Sequence, residues 1–479
     1  MNITFDSTGL KDPQVPHTGS LIQSLEVNRV ASDTSDTGVG KTYCAAAVAR
    51  HFQLPVFVVC PKAVIPTWKT VLSSYGVTKY TIVNYDLLVR SKGNKYVKWT
   101  YDSDQDTFKA TFKKTVSSDT IFILDECHRC KALDSLNSEL HMAIKDQGFR
   151  LLNLSASAAT TILEMKSFGY TNGLHEYRNA NDYKRHYCVK MGAEWSGRFG
   201  GLIWDPESEK CREGMAFVHN ELYNVKKTMF RLTREQMGAH FPETQINADA
   251  LDMGANSVAI NRVYNHMQAE LALLDERTSN YSQHVFAIIM AARRQAELLK
   301  VPTFVSMIED YVDEGMSVAV FTNFNETMDA IAKRLLKLKK FVGKIGFIRG
   351  GQSALERQRD IEAFQKDEKI VTLAHIGAGG VGVSLHDLNG KRARASILSP
   401  GFSAVQLYQA FGRVWRLGGL TKSIQHVIFA AGTIEEKACN RLRARLGNLS
   451  ILNDGDMTAG INIPEHRMMD FYINGEEND

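Results

Sequence analysis

The residues with the plainest chemical use lie near the start of the chain, in Asp36-Thr37-Gly38-Val39-Gly40-Lys41-Thr42. Small residues such as Gly38 and Gly40 let a backbone turn tightly, so that main-chain N–H groups and a helix N-terminus face an anion. Lys41 would then reach the β- and γ-phosphates of a nucleotide, and the Thr42 hydroxyl would ligate Mg²⁺. The strict pattern G-x-x-x-x-G-K-[ST] asks for glycine where this chain has Ser35, so the cradle is incomplete by that standard. A second candidate is Asp125-Glu126, which closes the apolar run Ile121-Phe122-Ile123-Leu124. Adjacent carboxylates at the end of a buried strand are costly unless paired or bound to metal. With a phosphate loop upstream, Asp125 is expected to hold Mg²⁺, directly or through its waters, and Glu126 to orient and deprotonate the attacking water. An isolated Asp-Glu would instead be read as a solvated turn with a helix-capping acid. Its position after the loop, in a strand–helix pattern, favours the nucleotide reading.

The elements that must hold these residues follow from apolar runs. Leu21, Ile22 and Leu25 form a short helical stripe, and Tyr43 to Ala49 read as a helix behind the loop. Val56-Phe57-Val58-Val59-Cys60 is a buried strand broken by Pro61, followed by Thr81-Ile82-Val83-Asn84-Tyr85, the 121–124 run and Leu151-Leu152-Asn153-Leu154. Helical stretches are expected between them, giving a parallel α/β sheet with ligands beyond the carboxyl ends of its strands. Cys127 and Cys130 form a C-x-x-C pair, but no second such pair exists and this one sits inside the acidic motif, which disfavours zinc. Cys188, Cys211, His186 and His219 fit no standard zinc module.

The chain's 479 residues suit two or three domains, and 44% hydrophobic with 23% charged residues is ordinary for a soluble globular protein. A net charge of +4 permits nucleic-acid binding without arguing for it. The N-terminus has no basic start followed by an apolar core, no apolar run approaches membrane-spanning length, and the seven cysteines are scattered. A soluble intracellular protein of a reducing compartment, cytoplasm or nucleus, is expected, with no membrane partner.

In their order, these motifs resemble those of the superfamily 2 helicases and translocases, and within them the Swi/Snf-like branch. GVGKT at 38–42, VVCPKAVIPTW at 58–68, IVNYDLL at 82–88, DECH at 125–128 and LSAS at 154–157 follow the family's sequence of motifs. The second half adds VAVFT at 318–322, FIRGGQSALERQRDIEAFQ at 347–365, LAHIGAGGVGVSL at 373–385, QLYQAFGRVWRLGG at 406–419 and GTIEEKA at 432–438. The likeness covers roughly residues 30 to 440. It implies two tandem RecA-like parallel-sheet lobes with a mainly helical insertion between them. The boundaries expected are 1–165 for the first lobe, 166–300 for the insertion, 301–445 for the second lobe and 446–479 for a tail.

The resemblance also implies roles. Gly38, Gly40, Lys41, Thr42, Asp125, Gly382 and Gln409 would bind ATP, with Thr42 and Asp125 on Mg²⁺. Ser155 and Ser157, spelled Ser-Ala-Ser where the family has Ser-Ala-Thr, would couple the site to movement. Lys62, Trp68, Asn84, Thr322, Gly350 and Gly379 would contact nucleic acid. Arg413 and Arg416, three apart on one face of an expected helix, would be arginine fingers completing the site together with the catalytic Lys41 and Glu126. Trp415 and Gly412 depart from the commonest Swi/Snf-like spelling. FRLTREQMGAHFPETQ at 230–245 is similar to the basic-then-proline stretch by which such insertions return to the core. The basic and aromatic residues Tyr170, Tyr177, Arg178, Tyr183, Lys184, Arg185, His186 and Tyr187 suit nucleic acid, although residue by residue a mostly helical insertion with a solvated face is the favoured reading. An adenine-reading glutamine is not fixed between Gln14 and Gln23.

The expected function is therefore an ATP-dependent translocase or helicase moving along or remodelling double-stranded or branched DNA, as a monomeric motor. An RNA-stimulated ATPase is the alternative partner class, and a scaffold without catalysis is disfavoured by the intact GKT, Asp-Glu and Arg pair. Protein partners are not written in the sequence, and a compact motor of this kind would fit a virus or phage.

Overall fold

The computed structural model describes residues 3–90, 94–103, 107–156, 161–195, 201–205, 208–274, 281–379, 383–400, 404–436 and 439. Chain contacts divide it into two compact units, Met1–His240 and Phe241–Asp479. Each unit is built around a six-stranded sheet in which every pairing is parallel. These are the tandem RecA-like lobes.

The first unit opens with α1 (Gln14–Val27) and β1 (Val30–Asp33), then α2 (Lys41–Phe52) and β2 (Val56–Cys60). It continues through β3 (Tyr80–Asn84), a hairpin of β4 (Val97–Asp102) and β5 (Thr107–Phe112), β6 (Ile121–Asp125) and β7 (Arg150–Leu154). A two-residue pair, β8 (Glu194–Trp195) and β9 (Leu202–Ile203), and the short β10 (Met229–Phe230) follow. The sheet order is β10-β1-β7-β6-β2-β3. Along β2, Phe57 and Val59 face one core while Val56, Val58 and Cys60 face the other. A strand covered on both faces needs no polar alternation, and this is why it reads as a continuous apolar run.

Two of these elements have no such run. β1 is Val-Ala-Ser-Asp, wholly buried, and β4–β5 is an antiparallel hairpin where helix was expected between strands. Tyr85, expected at the end of a strand, opens a short helix instead. The expected stripe Leu21, Ile22 and Leu25 is the buried face of α1.

The second unit holds β11 (Thr244–Leu251), β12 (Ser317–Thr322), β13 (Ile345–Ile348), β14 (Val371–His375), β15 (Arg394–Leu398) and β16 (Ser423–Ala430), ordered β11-β16-β15-β12-β14-β13. Val318 and Val320 face one core, Ala319 and Phe321 the other. The stretch expected as a helical insertion does carry the helices Glu209–Asn220, Ala255–Ala272 and Tyr281–Leu299. It also lends an edge strand to each sheet, β10 to the first and β11 to the second.

Glu435, in the GTIEEKA stretch, ties this second unit together. Its carboxylate is paired with Lys300, both side chains only 2% exposed, and accepts from Tyr264 Oη at 2.7 Å and Ala430 N at 3.0 Å. Removing one member of such a pair leaves a buried charge without compensation. Glu435→Ala is expected to destabilise the second unit by about 3–5 kcal/mol, measured by urea denaturation, while the first unit's transition stays in place.

Candidate functional site

The phosphate-loop candidate leaves the carboxyl end of β1 and enters α2. Gly38 and Gly40 have φ of 86° and 93°, a left-handed backbone that glycine adopts without steric cost. Behind the loop, α2 buries Cys44, Ala45, Ala46, Ala47, Val48 and Ala49, small residues that let the helix lie close on the sheet. Lys41 Nζ donates to the carbonyls of Ser35 at 2.5 Å and Asp36 at 2.9 Å. Burial lowers the Lys41 ammonium's proton affinity, against the charges of Asp33, Glu126, Asp36 and Asp125, which face it.

Asp125 ends β6, one strand over from β7 and two from β1. Its carboxyl is pushed up to about 6, by burial first and by the Glu126 charge second, while a hydrogen bond from Trp68 and the Lys41 charge oppose the rise. Glu126 sits at φ 56°, ψ 51°, an uncommon conformation for a residue with a side chain. Its Oε2 lies 3.2 Å from His128 Nδ1, which is also 3.2 Å from Ser155 Oγ. The acidic motif and the start of the Ser-Ala-Ser motif are thus joined through one imidazole. Ser155 N donates to Asp33 O at 3.1 Å, which ties that motif back to β1. Ser157 lies outside the described residues.

Two residues of the expected nucleic-acid set belong elsewhere. Trp68 is 1% exposed, and its indole N–H donates to Asp125 Oδ2 at 2.8 Å, so it braces the carboxylate and offers no surface to a polymer. Thr322 is fully buried at the end of β12, its hydroxyl donating to Phe324 O at 3.3 Å. Lys62 is exposed, Asn84 is half-buried at the end of β3 and Gly350 lies in the turn after β13, while Gly379 ends a short helix, Ile376–Gly379. Tyr85, from the second segment expected on nucleic acid, donates its hydroxyl to Asp125 O at 2.9 Å.

Contacts that the sequence did not suggest surround the loop. From α1, the buried Gln14 donates Nε2 to Val39 O at 2.8 Å, whereas Gln23 is exposed. His17 Nε2 lies 3.2 Å from Asp33 Oδ1 and 3.3 Å from Ser35 Oγ. Asp33 is fully buried, and although burial opposes it, the His17 and Lys41 charges and two hydrogen bonds hold its carboxyl below the usual range. From the far side, Leu232 N donates to Ser35 Oγ at 2.8 Å, Arg231 Nη2 lies 2.9 Å from Asp36 Oδ1 and Arg234 N donates to Asp36 Oδ2 at 3.1 Å. Arg234 also donates to Thr37 through its guanidinium, at 3.1 Å to the carbonyl and closely to the hydroxyl. The only hint of this in the sequence was the likeness of 230–245 to a return segment.

In the second unit, Arg413 lies in the last turn of the helix Ala404–Val414, and Arg416 beyond its end. The expected shared helical face is therefore absent, because the helix stops at Val414. They meet the same segment nonetheless. Arg413 Nη1 donates to Val383 O at 3.2 Å, Arg416 donates to Ser384 Oγ, and Leu385 N donates to Arg413 O at 2.8 Å. Gln409 is buried on the same helix, and Gly382 lies outside the described residues.

A polar chain links the strands beneath the first site. His141, fully buried, donates Nε2–H to Asn153 Oδ1 at 2.9 Å; Asn153 Nδ2 donates to Ser32 Oγ at 3.1 Å, and Ser32 Oγ to Asn172 Oδ1 at 2.9 Å. Each buried polar group is satisfied by one from another element, which is how the polar strand β1 can lie in a core.

Two α/β lobes with parallel sheets, a glycine-turned loop with a lysine and an acidic pair ending a strand two places away in the same sheet define a nucleotide-hydrolysing machine of the P-loop class. Residues 19–160 match the family described as type III restriction enzyme, res subunit, and residues 300–418 the helicase conserved C-terminal domain. A putative ATP-dependent RNA helicase of Acanthamoeba polyphaga mimivirus is 33% identical over 461 residues, covering 93% of this chain and 83% of that protein. A RAD54-like DNA repair and recombination protein of Drosophila willistoni is 21% identical over 466 residues, covering 83% of this chain and 58% of that protein. The SWI2/SNF2 ATPase core of Sulfolobus solfataricus in complex with double-stranded DNA aligns over 98% of both chains at 14% identity, with a TM-score of 0.37. The chain belongs to the superfamily 2 helicases. It is a nucleic-acid-dependent ATPase, and among its described residues no helix is long and apolar enough to cross a membrane.

The buried imidazoles give this fold an acid limit. Burial pushes His141 down to about 4, and His175 in the same unit likewise. An unfolded histidine titrates near 6.5, so the unfolded chain takes up protons first as pH falls. The stability tied to neutral His141 is complete above pH ~6.5 and is lost progressively towards pH 4, by roughly 3 kcal/mol in all. In urea titrations at pH 7.5 and 5, His141→Gln is expected to show a shallower loss of first-unit stability on acidification than the unaltered chain.

Proposed function

We propose that this protein is an ATP-driven motor that moves along or remodels double-stranded or branched DNA, hydrolysing ATP at the loop of residues 34–42. The observation that carries the reading is the loop after β1, turned in the left-handed region at Gly38 and Gly40, on the same parallel sheet whose strand β6 ends in Asp125-Glu126. Lys41 and the backbone at Gly38 and Gly40 bind the phosphates, and Thr42 and Asp125 would hold Mg²⁺. The donor set fits that ion: the half-buried Asp125 carboxyl is raised to about 6, first by burial and then by the Glu126 charge beside it, a strain that a divalent cation would offset. Bound there, Mg²⁺ would neutralise charge on the phosphates. Glu126 orients and deprotonates the attacking water, with His128 fixing its carboxylate and relaying its state to Ser155. Arg413 and Arg416 supply guanidinium charge to the transferring phosphoryl group, and Gly382 and Gln409 belong to the nucleotide-binding set. Lys62, Asn84, Gly350 and Gly379 remain the nucleic-acid contacts.

In this reading the first lobe runs to residue 165, the helix-rich insertion spans 166–300, the second lobe 301–445, and 446–479 is a tail. Lys41→Ala should lose ATP binding and hydrolysis. Glu126→Gln should bind ATP within a few-fold of the unaltered chain while its turnover falls by at least ~10²-fold. Fluorescent-nucleotide titration and phosphate release check both, and normal turnover by Lys41→Ala would sink the assignment.

The likeness of residues 230–245 and 432–438 to Swi/Snf-like sequences supports DNA as the polymer, as does the repair protein among the relatives. An RNA-stimulated ATPase is the second reading, favoured by the name of the mimivirus relative. ATPase rates with no polymer, double-stranded DNA, single-stranded DNA and RNA separate the two. DNA should give the largest stimulation, and the effect should fall steeply with salt because phosphate contacts carry the binding. Stimulation by RNA alone would overturn the DNA reading.

A further inference from the structure

Asp36 is a physical oddity. It lies inside a loop proposed to receive a triphosphate, its side chain is 1% exposed, and its own backbone carbonyl accepts at 2.9 Å from Lys41 Nζ, the cation meant for that phosphate. A buried carboxylate there would repel the substrate and draw Lys41 to itself. The structure supplies a counter-charge from 195 residues away: Arg231 Nη2 lies 2.9 Å from Asp36 Oδ1, its own side chain 14% exposed. The second oxygen is taken by Arg234 N at 3.1 Å, at the start of the short helix Arg234–Met237 capped by Thr233. The carboxylate is thereby bound on both oxygens by the return segment.

We propose that Arg231 is a positioning residue for the nucleotide phosphates: it neutralises Asp36, so that the loop presents net positive charge and Lys41 is free to serve the phosphates. This rests on the reading of residues 34–42 as the nucleotide site and goes beyond it, because it makes the affinity for nucleotide depend on a segment outside the loop. It also assigns a substrate-charge dependence. The penalty of an uncompensated Asp36 grows with the negative charge of the ligand, so ATP suffers most, ADP less and adenosine not at all.

The test is a charge-rescue series in the full-length protein, read by equilibrium binding of ATP, ADP and adenosine, with thermal melting as a check on folding. Arg231→Met, which keeps apolar bulk, should weaken ATP binding by on the order of 30-fold or more. ADP should be affected less, and adenosine should bind as before. Asp36→Asn added to Arg231→Met should restore ATP binding to within a few-fold, and Asp36→Asn alone should bind ATP at least as tightly as the unaltered chain. Arg231→Lys should retain most of the affinity. If Asp36→Asn fails to rescue, Arg231 acts directly on phosphate or only on folding, and the proposal is overturned. It is equally overturned if Asp36→Asn alone weakens ATP binding, an outcome readable even where Arg231→Met does not fold. Lys41→Ala distinguishes the two levels of failure. Unchanged ATP binding by Lys41→Ala removes the nucleotide site itself, whereas lost binding beside a flat charge series removes only the role of Arg231.

Discussion

One ammonium facing four carboxylates is the constraint on which the first lobe depends. The charges of Asp33, Glu126, Asp36 and Asp125 all act on Lys41; Asp33 and Asp36 are buried, while Lys41, Asp125 and Glu126 are half-buried. In low dielectric such an arrangement is unstable unless each carboxylate finds its own compensation. Asp33 has His17 from α1, and Asp36 has Arg231 from the return segment. Asp125 accepts the indole N–H of Trp68 and feels the Lys41 charge, yet burial and the adjacent Glu126 charge still push its carboxyl up to about 6. The imbalance is therefore concentrated on the Asp125–Glu126 pair, where a divalent cation and a water would be needed. Segments distant in sequence are drawn to the loop because each brings one term of that balance.

Much of this was legible in the sequence, and what was not has a common cause. β2, β6, β7 and β12 show as apolar runs because both their faces are buried, so burial itself writes the pattern. β1 is buried to the same degree yet reads as Val-Ala-Ser-Asp, because Ser32 bonds Asn153 and Asn172 and one oxygen of Asp33 meets His17, and no local pattern records a partner 140 residues away. Trp68 was misplaced for the reverse reason. A motif's position in a family order says which segment is used and not which way each side chain points; Lys62 and Trp68 share one motif, with Lys62 exposed and Trp68 inside. Arg413 and Arg416 were placed together correctly but for a geometric reason that failed, since the helix ends between them and a common grip on residues 383–384 joins them instead.

The second lobe shows how the same economy works without a nucleotide loop. Lys300 and Glu435 form a buried pair whose remaining hydrogen-bonding capacity is filled by Tyr264, Ala430 and Ile428. The pair joins the helices Ala255–Ala272 and Val301–Asp313 to β16, so the GTIEEKA stretch reads as a clamp on the lobe's own architecture. This rigidity has a use. The helix Ala404–Val414, which carries Arg413, packs beside β15, the sheet neighbour of β16, so the frame fastened at Glu435 also fixes where that arginine starts.

Ser35 finally acquires a reason. Glycine stands there in the strict phosphate-loop pattern, and the serine first reads as a defect. Its hydroxyl accepts from Leu232 N at 2.8 Å and lies 3.3 Å from His17 Nε2, while its carbonyl receives Lys41. A glycine would keep the carbonyl and lose both side-chain contacts, leaving the Leu232 N–H without that acceptor and loosening the segment that carries Arg231. The departure from the pattern and the carboxylate one residue later thus belong together. Asp36 needs an arginine from the return segment, and Ser35 helps to hold that segment in register. The loop is not a self-contained cradle in this chain; it is the middle strip of a seam, fastened by α1 on one side and by residues 230–234 on the other.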